Sequence, residues 1–210
     1  MKRVLALSVL GLLSGLLLWG GGPALAHDDV KVPGSAPHPQ QTQPPQRRSP
    51  AQQYFGDVPL VNQYNETMRF YSDLLHAKVV VIHTFFATCE QSCPLVIATF
   101  AKLQEWLEER LGKEVHLLSI TADPETDTPA RLKAYAERLK AKPGWYFLTG
   151  AKRDVEAALY KLGQYVEQKE DHSNIIIIGN ATTGLWKKAF GLATPAEIRK
   201  LVESVLHDRG

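Results

Sequence analysis

The stretch KVVVIHTFFATCEQSCP, residues 78–94, joins a strand pattern to the start of a helix. Its first half is a nearly continuous run of β-branched and aromatic residues, which is typical of a central strand covered on both faces. Its second half carries the two cysteines of the chain, Cys89 and Cys93, followed by a proline that suits the first turn of a helix. The sequence therefore predicts a strand-to-helix junction that displays two thiols.

Strands and helices alternate on both sides of this junction. Apolar residues at helical spacing predict helices over 94–111, from 128 onward, over 154–162 and over 195–205. Apolar runs predict further strands over 115–121, 145–148, 174–178 and 185–190, and a hairpin from 58–61 and 68–71. This order predicts an α/β, thioredoxin-like three-layer fold with a central mixed sheet, an N-terminal hairpin and helices on both faces.

The composition allows one globular domain and excludes several classes of protein. The 210 residues are 44% hydrophobic, enough for one full core, and 24 basic residues face 22 acidic ones. This balance gives no sign of nucleic-acid binding, which requires clustered positive charge. Two cysteines are too few for a disulfide-rich scaffold.

The N-terminal region is expected to direct export and to provide a linker to the folded domain. Residues 1–26 combine Lys2 and Arg3, an apolar stretch and an Ala-Leu-Ala site, which predicts a signal peptide and export to a bacterial periplasm. An uncleaved membrane anchor is the alternative. Residues 27–53 are rich in proline and glutamine, which predicts a disordered linker. The folded domain is then expected over 54–210.

Two chemistries fit the cysteine pair. A helix N-terminus stabilises a thiolate, so we expect depressed pKa values for Cys93 and Cys89. If the segment forms a helical turn, their α-carbons lie about 6 Å apart, within reach of a disulfide. The same geometry lets both thiolates bind a soft metal ion such as Cu(I). The alternative is a purely structural disulfide, although so short a loop adds little stability, or two buried cysteines that act as small hydrophobic residues.

His172 is the candidate third ligand. It precedes the predicted strand at 174–178, whose start faces the cysteine loop in a thioredoxin-like layer, and we expect Asp171 to orient or tune its ring. We expect His83 to face the core or the sheet, and the other histidines of the domain to be at the surface or partly packed: His76, His116 and His207. No proline lies between Gly144 and Pro195, where ordinary thioredoxin-like oxidoreductases carry a cis-proline.

Four segments together resemble the Sco/SenC family of copper-binding, thioredoxin-like assembly factors for cytochrome c oxidase. They are FFATCEQSCP (85–94), SITADPETDTPARLKAYA (119–136), GWYFLTG (144–150) and DHSNIIIIGN (171–180). The resemblance implies a site for copper, Cu(I) or Cu(II), formed by Cys89, Cys93 and His172. It also implies an upstream copper donor, and delivery of copper to the CuA centre of oxidase subunit II or another acceptor. Reduction of the cysteines of that centre is the other implied role.

The residues leave two functions open. A metallochaperone would bind copper and pass it on by ligand exchange, without turnover. A thiol–disulfide reductase would use Cys89 and Cys93 as its catalytic redox pair, with Cys89 as the attacking thiolate. Glu90 stands where many family members have proline, and its carboxylate is expected to raise the thiol pKa values somewhat. We expect Asp123 to fix a turn, and Asp127 or Thr128 to cap a helix, rather than to bind metal.

Overall fold

The computed structural model describes residues 48–89, 93–191 and 193–210. The predicted signal peptide or anchor at 1–26, most of the predicted linker and Glu90 lie outside the described residues. Within those ranges, no helix is long and apolar enough to cross a bilayer.

The described residues form five α-helices and seven strands. In chain order these are α1 (Pro50–Phe55), β1 (Pro59–Asn62), β2 (Thr67–Arg69), β3 (Val79–Phe85), α2 (Cys93–Leu107), β4 (Val115–Thr121), α3 (Pro129–Arg138), β5 (Trp145–Thr149), α4 (Lys152–Leu162), β6 (Ile175–Asn180), β7 (Leu185–Phe190) and α5 (Pro195–Leu206). A π-helical segment spans Phe70–Leu75, and short 3-10 turns span Glu108–Arg110 and Lys169–Asp171.

The strands form one mixed sheet in the order β2-β1-β5-β4-β3-β6-β7. Strands β3, β4 and β5 are parallel, and β6 pairs antiparallel with β3, with His83 opposite Ile176. The hairpin β1–β2 lies at one edge, and β7 closes the other. This topology confirms the predicted α/β fold with a central mixed sheet and an N-terminal hairpin.

Helices cover both faces of the sheet, as predicted. Side chains alternate between the two faces of a strand, so Val81 and Phe85 of β3 point to one face and Val80 and Ile82 to the other. The first face packs against apolar residues of α2, α3 and α5, and the second against those of α1 and α4. Every residue of β3 is buried. The loop that follows β3 therefore leaves from an interior strand of the sheet and leads to the N-terminal end of α2.

The structure corrects three predicted boundaries. The strand predicted at 68–71 ends at Arg69, because the next residues bury Phe70, Leu74 and Leu75 at a helical rather than an alternating spacing. Helix α2 ends at Leu107, before Glu108 adopts a positive φ of 49°. Residues 50–53, predicted as linker, belong to α1, whose N-terminus is capped by the Ser49 side chain. The expected cap at Thr128 is confirmed, and the Thr194 side chain caps α5 in a capping box with Glu197.

Candidate metal centre

Three predicted ligands meet at the end of β3. Cys89, Cys93 and His172 each offer a donor atom, and these atoms all lie within 4.8 Å of one another. The Cys93 Sγ atom lies 3.1 Å from Nε2 of His172. Cys93 is buried and Cys89 is half-buried, and no disulfide joins the two. The tertiary structure thus brings together two sulfurs and one imidazole from segments far apart in the chain.

Each ligand is held by a different element. Cys89 follows β3 in a tight turn, in which its backbone N–H donates to the Phe86 carbonyl at 3.0 Å. Cys93 is the first residue of α2. His172 follows the 3-10 turn Lys169–Asp171 and precedes β6, the strand that runs antiparallel to β3. Because β6 pairs with β3, its start lies beside the end of β3, where the cysteine loop begins.

The donor set fits a soft or borderline metal ion. Ligand bonds of about 2.0–2.3 Å place two donors on one ion at most about 4.6 Å apart. Atoms that already lie within 4.8 Å therefore need only small movements to share an ion. Thiolate pairs favour Cu(I), and an added imidazole also suits Cu(II). The site thus has the ligands that copper requires, with two of the three side chains buried.

The ring of His172 is oriented by a backbone carbonyl. Its Nδ1 atom lies 2.8 Å from the carbonyl oxygen of Lys169, which can only accept a hydrogen bond. Nδ1 therefore carries the hydrogen, and the lone pair of Nε2 points toward Cys93. The expectation that Asp171 orients the ring is wrong, because the Asp171 side chain is exposed and the orienting group is one turn earlier.

The expectation of a depressed pKa for Cys93 is also wrong. Burial, assisted by a hydrogen bond with Cys89, raises the pKa of the Cys93 thiol to about 12. Hydrogen bonds from the backbone at Phe86 and Cys93 favour the thiolate but do not compensate. A helix N-terminus contributes a modest stabilisation, whereas removing a thiolate from water costs more. In the metal-free protein Cys93 is therefore a neutral thiol at pH 7.

The loop after β4 holds the cysteine segment in place through Asp127. The Oδ2 atom of this carboxylate accepts the backbone N–H of Ala87 at 2.9 Å and the Thr121 hydroxyl at 2.6 Å. Thr128 caps α3 as expected, so Asp127 does not serve as the cap. Asp127 lies outside the group of three ligands. Its function is to fix the backbone just before Cys89.

The same loop holds the histidine segment through Asp123. A carboxylate oxygen of Asp123 accepts a hydrogen bond from Nζ of Lys169 at 2.6 Å. Although burial opposes ionisation, hydrogen bonds from Lys169 and Thr126 hold the pKa of Asp123 below its usual range. The sequence interpretation of Asp123 as a turn residue missed this contact. The position of the acids after a strand parallel to β3 was the available signal, since the carboxyl ends of parallel strands share one edge.

Phe86 is a second residue that the sequence did not identify. Its ring meets the His172 ring edge to face, with centroids 5.3 Å apart. The Lys169 ammonium lies 5.3 Å from the centroid of the same ring. Phe86 is buried, so it covers the imidazole on one side and excludes water from it.

A buried polar cluster lies on the parallel strands β3, β4 and β5. Nε2 of His83 lies 2.7 Å from the Ser119 hydroxyl, which also accepts the indole N–H of Trp145 at 2.9 Å. Burial lowers the pKa of His83 to about 3, so its ring is neutral at pH 7. The expectation that His83 faces the core is confirmed. The expectation that His116 lies at the surface or is partly packed is wrong, because this residue is buried and stacks on Tyr146.

Comparison with known proteins gives concordant results. The SCO1/SenC family model matches residues 46–206. The SCO1 protein homolog of Bacillus subtilis is 30% identical over 105 residues, which cover 49% of this chain and 54% of that protein. The chain likewise spans 54% of a relative from Stutzerimonas stutzeri, so it covers about half the length of both.

Two solved structures are similar to this chain in fold and in sequence. Yeast Sco1 with copper bound is 25% identical, with a TM-score of 0.59 over 73% of this chain and 92% of that one. BsSco, a member of the Sco family of cytochrome c oxidase assembly proteins with a disulfide switch, is also 25% identical, with a TM-score of 0.59 over 71% and 93%. With a family match over most of its length and the Cys-Cys-His group at the end of β3, this chain belongs to the SCO1/SenC family.

Proposed function

We propose that this protein binds one copper ion through Cys89, Cys93 and His172 and passes it to an acceptor protein by ligand exchange. The observation that carries the proposal is the convergence of two sulfurs and one imidazole nitrogen within 4.8 Å. Copper bound to yeast Sco1, a family member of the same fold, supports the choice of metal. The half-buried position of Cys89 supports transfer, because an acceptor ligand can reach the ion on that side.

The chain's own residues define what happens on binding. Cys93 must lose its proton, since a thiolate is the ligand and the pKa of the thiol is raised to about 12. The adjacent Nε2 of His172 can receive this proton on its way to solvent. Bound copper would then favour the thiolate and take the place of that proton between the sulfur and the imidazole.

Titration of the reduced protein with Cu(I) and Cu(II) tests the site. We expect one copper per chain, and a sulfur-to-copper charge-transfer band with Cu(II). Cys89→Ser and Cys93→Ser should each weaken binding and change the band, the double variant should abolish the band, and His172→Ala should weaken Cu(II) binding severely. His207→Ala is the matched control, because His207 is exposed at the end of α5. Equal loss in the control, or unchanged binding in both serine variants, would refute the site.

The proposed acceptor is the CuA centre of cytochrome c oxidase subunit II, with an upstream copper donor as the source. Support comes from the membership of BsSco in the Sco family of cytochrome c oxidase assembly proteins. Mixing the copper-loaded chain with a reduced, copper-free CuA domain should generate the CuA spectrum. Copper that stays on the chain would contradict this choice of acceptor and leave another copper protein to be sought.

A second candidate function is thiol–disulfide reduction of the CuA cysteines, favoured by the proximity of the two sulfurs and by the disulfide switch of BsSco. Cys89 sulfur would attack a partner disulfide and release one partner thiolate. Cys93 would then attack Cys89 sulfur, form the Cys89–Cys93 disulfide and release the second partner thiol. Two electrons pass to the partner, and an external dithiol must restore the chain.

The two functions respond differently to one substitution. His172→Ala removes a copper ligand but neither sulfur, so we expect severe loss of Cu(II) binding with largely intact exchange. Loss of exchange with unchanged copper affinity would reverse the ranking. Copper binding ranks first because the imidazole of His172, which thiol–disulfide exchange does not need, lies within 4.8 Å of both sulfurs.

We also propose export, on the signal-peptide pattern of residues 1–26, with the predicted linker, now shortened to 27–49 by α1, between that segment and the domain. Cell fractionation and N-terminal sequencing of the native protein test this. A mature N-terminus at His27 supports cleavage. An intact N-terminus in the membrane fraction supports an anchor, and recovery from the cytoplasm refutes export.

A further inference from the structure

Lys169 contacts the His172 segment through its backbone and the β4–α3 loop through its side chain. Its carbonyl oxygen accepts the Nδ1 hydrogen of His172 at 2.8 Å. Its ammonium group donates to Asp123 at 2.6 Å. One residue thus links the ring of a proposed ligand to a loop that follows the neighbouring parallel strand.

We propose that Lys169 is a positioning residue of the metal centre, which acts through its ion pair with Asp123. The pair holds the 3-10 turn Lys169–Asp171 against the β4–α3 loop, and the Lys169 carbonyl then fixes the His172 ring with Nε2 toward Cys93. This inference rests on the proposed copper site. It adds a residue that does not bind the metal but sets the geometry of one that does.

The surroundings of this ion pair distinguish it from an ordinary surface pair. The Asp123 side chain is only 10% exposed and that of Lys169 is 33% exposed. Partial burial reduces the solvent screening because of which exposed ion pairs contribute little to stability. The ammonium also lies 5.3 Å from the centroid of the Phe86 ring, which in turn packs against His172. The lysine therefore braces the imidazole along two routes, one through its carbonyl and one through Phe86.

The His172 segment needs such an anchor because it has little regular structure. Between the end of α4 at Leu162 and the start of β6 at Ile175, the only element is the 3-10 turn, whose N-terminus has no side-chain cap. The Ser173 hydroxyl donates to Gln164 at 2.5 Å, which joins the residue after His172 to the segment that follows α4. The ion pair joins the 3-10 turn before His172 to the β4–α3 loop.

A second lysine on the same loop provides a matched control. Lys152 pairs with Glu125 at 3.5 Å, with side-chain exposures of 58% and 73%. Glu125 lies two residues from Asp123, so this pair shares the loop and the charge types. Within the described residues no ion pair or hydrogen bond joins this pair to the His172 segment, and its exposure predicts a negligible contribution to stability. Lys152→Met and Lys169→Met each remove one positive charge, but only Lys169→Met removes an ion pair of the His172 segment.

The experiment is a Cu(II) titration of the full-length reduced protein and five variants, with the charge-transfer spectrum and electron paramagnetic resonance recorded. Lys169→Met keeps the backbone carbonyl and side-chain length but removes the ammonium. We expect its Cu(II) affinity to fall about tenfold, within the range for residues that orient a metal ligand, and its spectrum to change. Lys169→Arg should restore affinity to within about threefold, because it retains the charge. Lys152→Met should match wild type.

Asp123→Asn should reproduce the loss of Lys169→Met, and the double variant should add little to either. Wild-type affinity and spectrum in Lys169→Met would overturn the inference, as would an equal loss in Lys152→Met or no rescue by arginine. Failure of the proposed function is recognised separately, since wild type would then bind no copper or His172→Ala would bind it normally. Should Lys169→Met unfold, the comparison of Asp123→Asn with Lys152→Met decides in the same way.

Discussion

The Nε2 atom of His172 lies 3.1 Å from the Sγ atom of Cys93, a residue 79 positions earlier in the chain. The contact joins the first residue of α2 to the turn before β6, so it depends on the pairing of β6 with β3. A hydrogen on Nδ1 leaves the lone pair of Nε2 free for the sulfur. The metal-free site is thus already arranged as a ligand set, with a proton where the proposed ion would bind.

The two thiols should differ strongly in reactivity. Cys93 is buried and its pKa is raised to about 12, whereas Cys89 is half-buried at the surface of the site. Since the thiolate is the nucleophile, we expect iodoacetamide at pH 8 to alkylate Cys89 at least tenfold faster than Cys93. Peptide mass spectrometry over time measures both rates. Equal rates in the folded protein would show that burial does not suppress the Cys93 thiolate.

Copper affinity should increase with pH. Binding requires Cys93 to release its proton, because the thiolate is the ligand. At a pH below the Cys93 pKa of about 12, the apparent affinity therefore rises about tenfold per pH unit for each proton that binding releases. Competition titrations with a Cu(I) chelator between pH 6 and 8 measure the slope. We expect at least one proton released per copper. A pH-independent affinity would mean that Cys93 is already ionised or does not bind the ion.

Asp127 should tolerate amidation better than truncation. Burial raises its pKa despite hydrogen bonds from Thr121 and Ala87, and its Oδ1 atom has no hydrogen-bond partner within the described residues. In Asp127→Asn one oxygen can still accept both bonds, but the amide N–H donors take the place of the unpartnered Oδ1, so we expect a loss of about 1–2 kcal/mol, smaller than that of the alanine variant. Asp127→Ala leaves two donors unsatisfied and should cost about 2–4 kcal/mol. Urea unfolding measures both, and equal costs would contradict this assignment.

Two buried histidines should make stability decline in acid. Burial lowers the pKa of His83 to about 3 and that of His116 to about 4, whereas both return to about 6.5 in the unfolded chain. Below pH 6.5 the unfolded chain therefore binds more protons. The unfolding free energy should be highest above that pH. It should fall toward pH 4, by up to about 1.4 kcal/mol per pH unit for each histidine.

Urea unfolding between pH 7.5 and 4.5 measures this slope. His116→Gln should reduce it by about one proton, because the variant has no imidazole to titrate. His207→Gln is the control, since His207 is exposed, and its slope should equal that of wild type. An unchanged slope in His116→Gln would show that this histidine titrates normally in the folded protein.

Most of the fold could be predicted because its signals are local. Five of the seven residues of β3 are apolar and they lie on both faces, which indicates a central strand without knowledge of its neighbours. The capping box at Thr194 and Glu197 is similarly complete within four residues. The π-helical segment at Phe70 escaped prediction, because a short apolar run does not separate a strand from a helix.

The members of the Cys-Cys-His group could also be named from the sequence, but their environment could not. Residue type and spacing favour Cys89 and Cys93 as a reactive pair, yet the sign of the Cys93 pKa shift depends on how completely the folded chain buries it. The helix N-terminus favours the thiolate and is visible in sequence. Desolvation opposes it, prevails here and is a property of the packed structure.

The sequence by itself determined the strand order along the chain, the helix caps and the three donor side chains, because periodicity, capping and ligand chemistry are written in residue types. Only the tertiary structure decided which groups support those donors. The Lys169 carbonyl and not Asp171 orients His172, and Asp123 and Asp127 hold two separate segments from one loop. Such contacts join residues distant in the chain, so they exist only after the sheet has brought its strand ends to one edge.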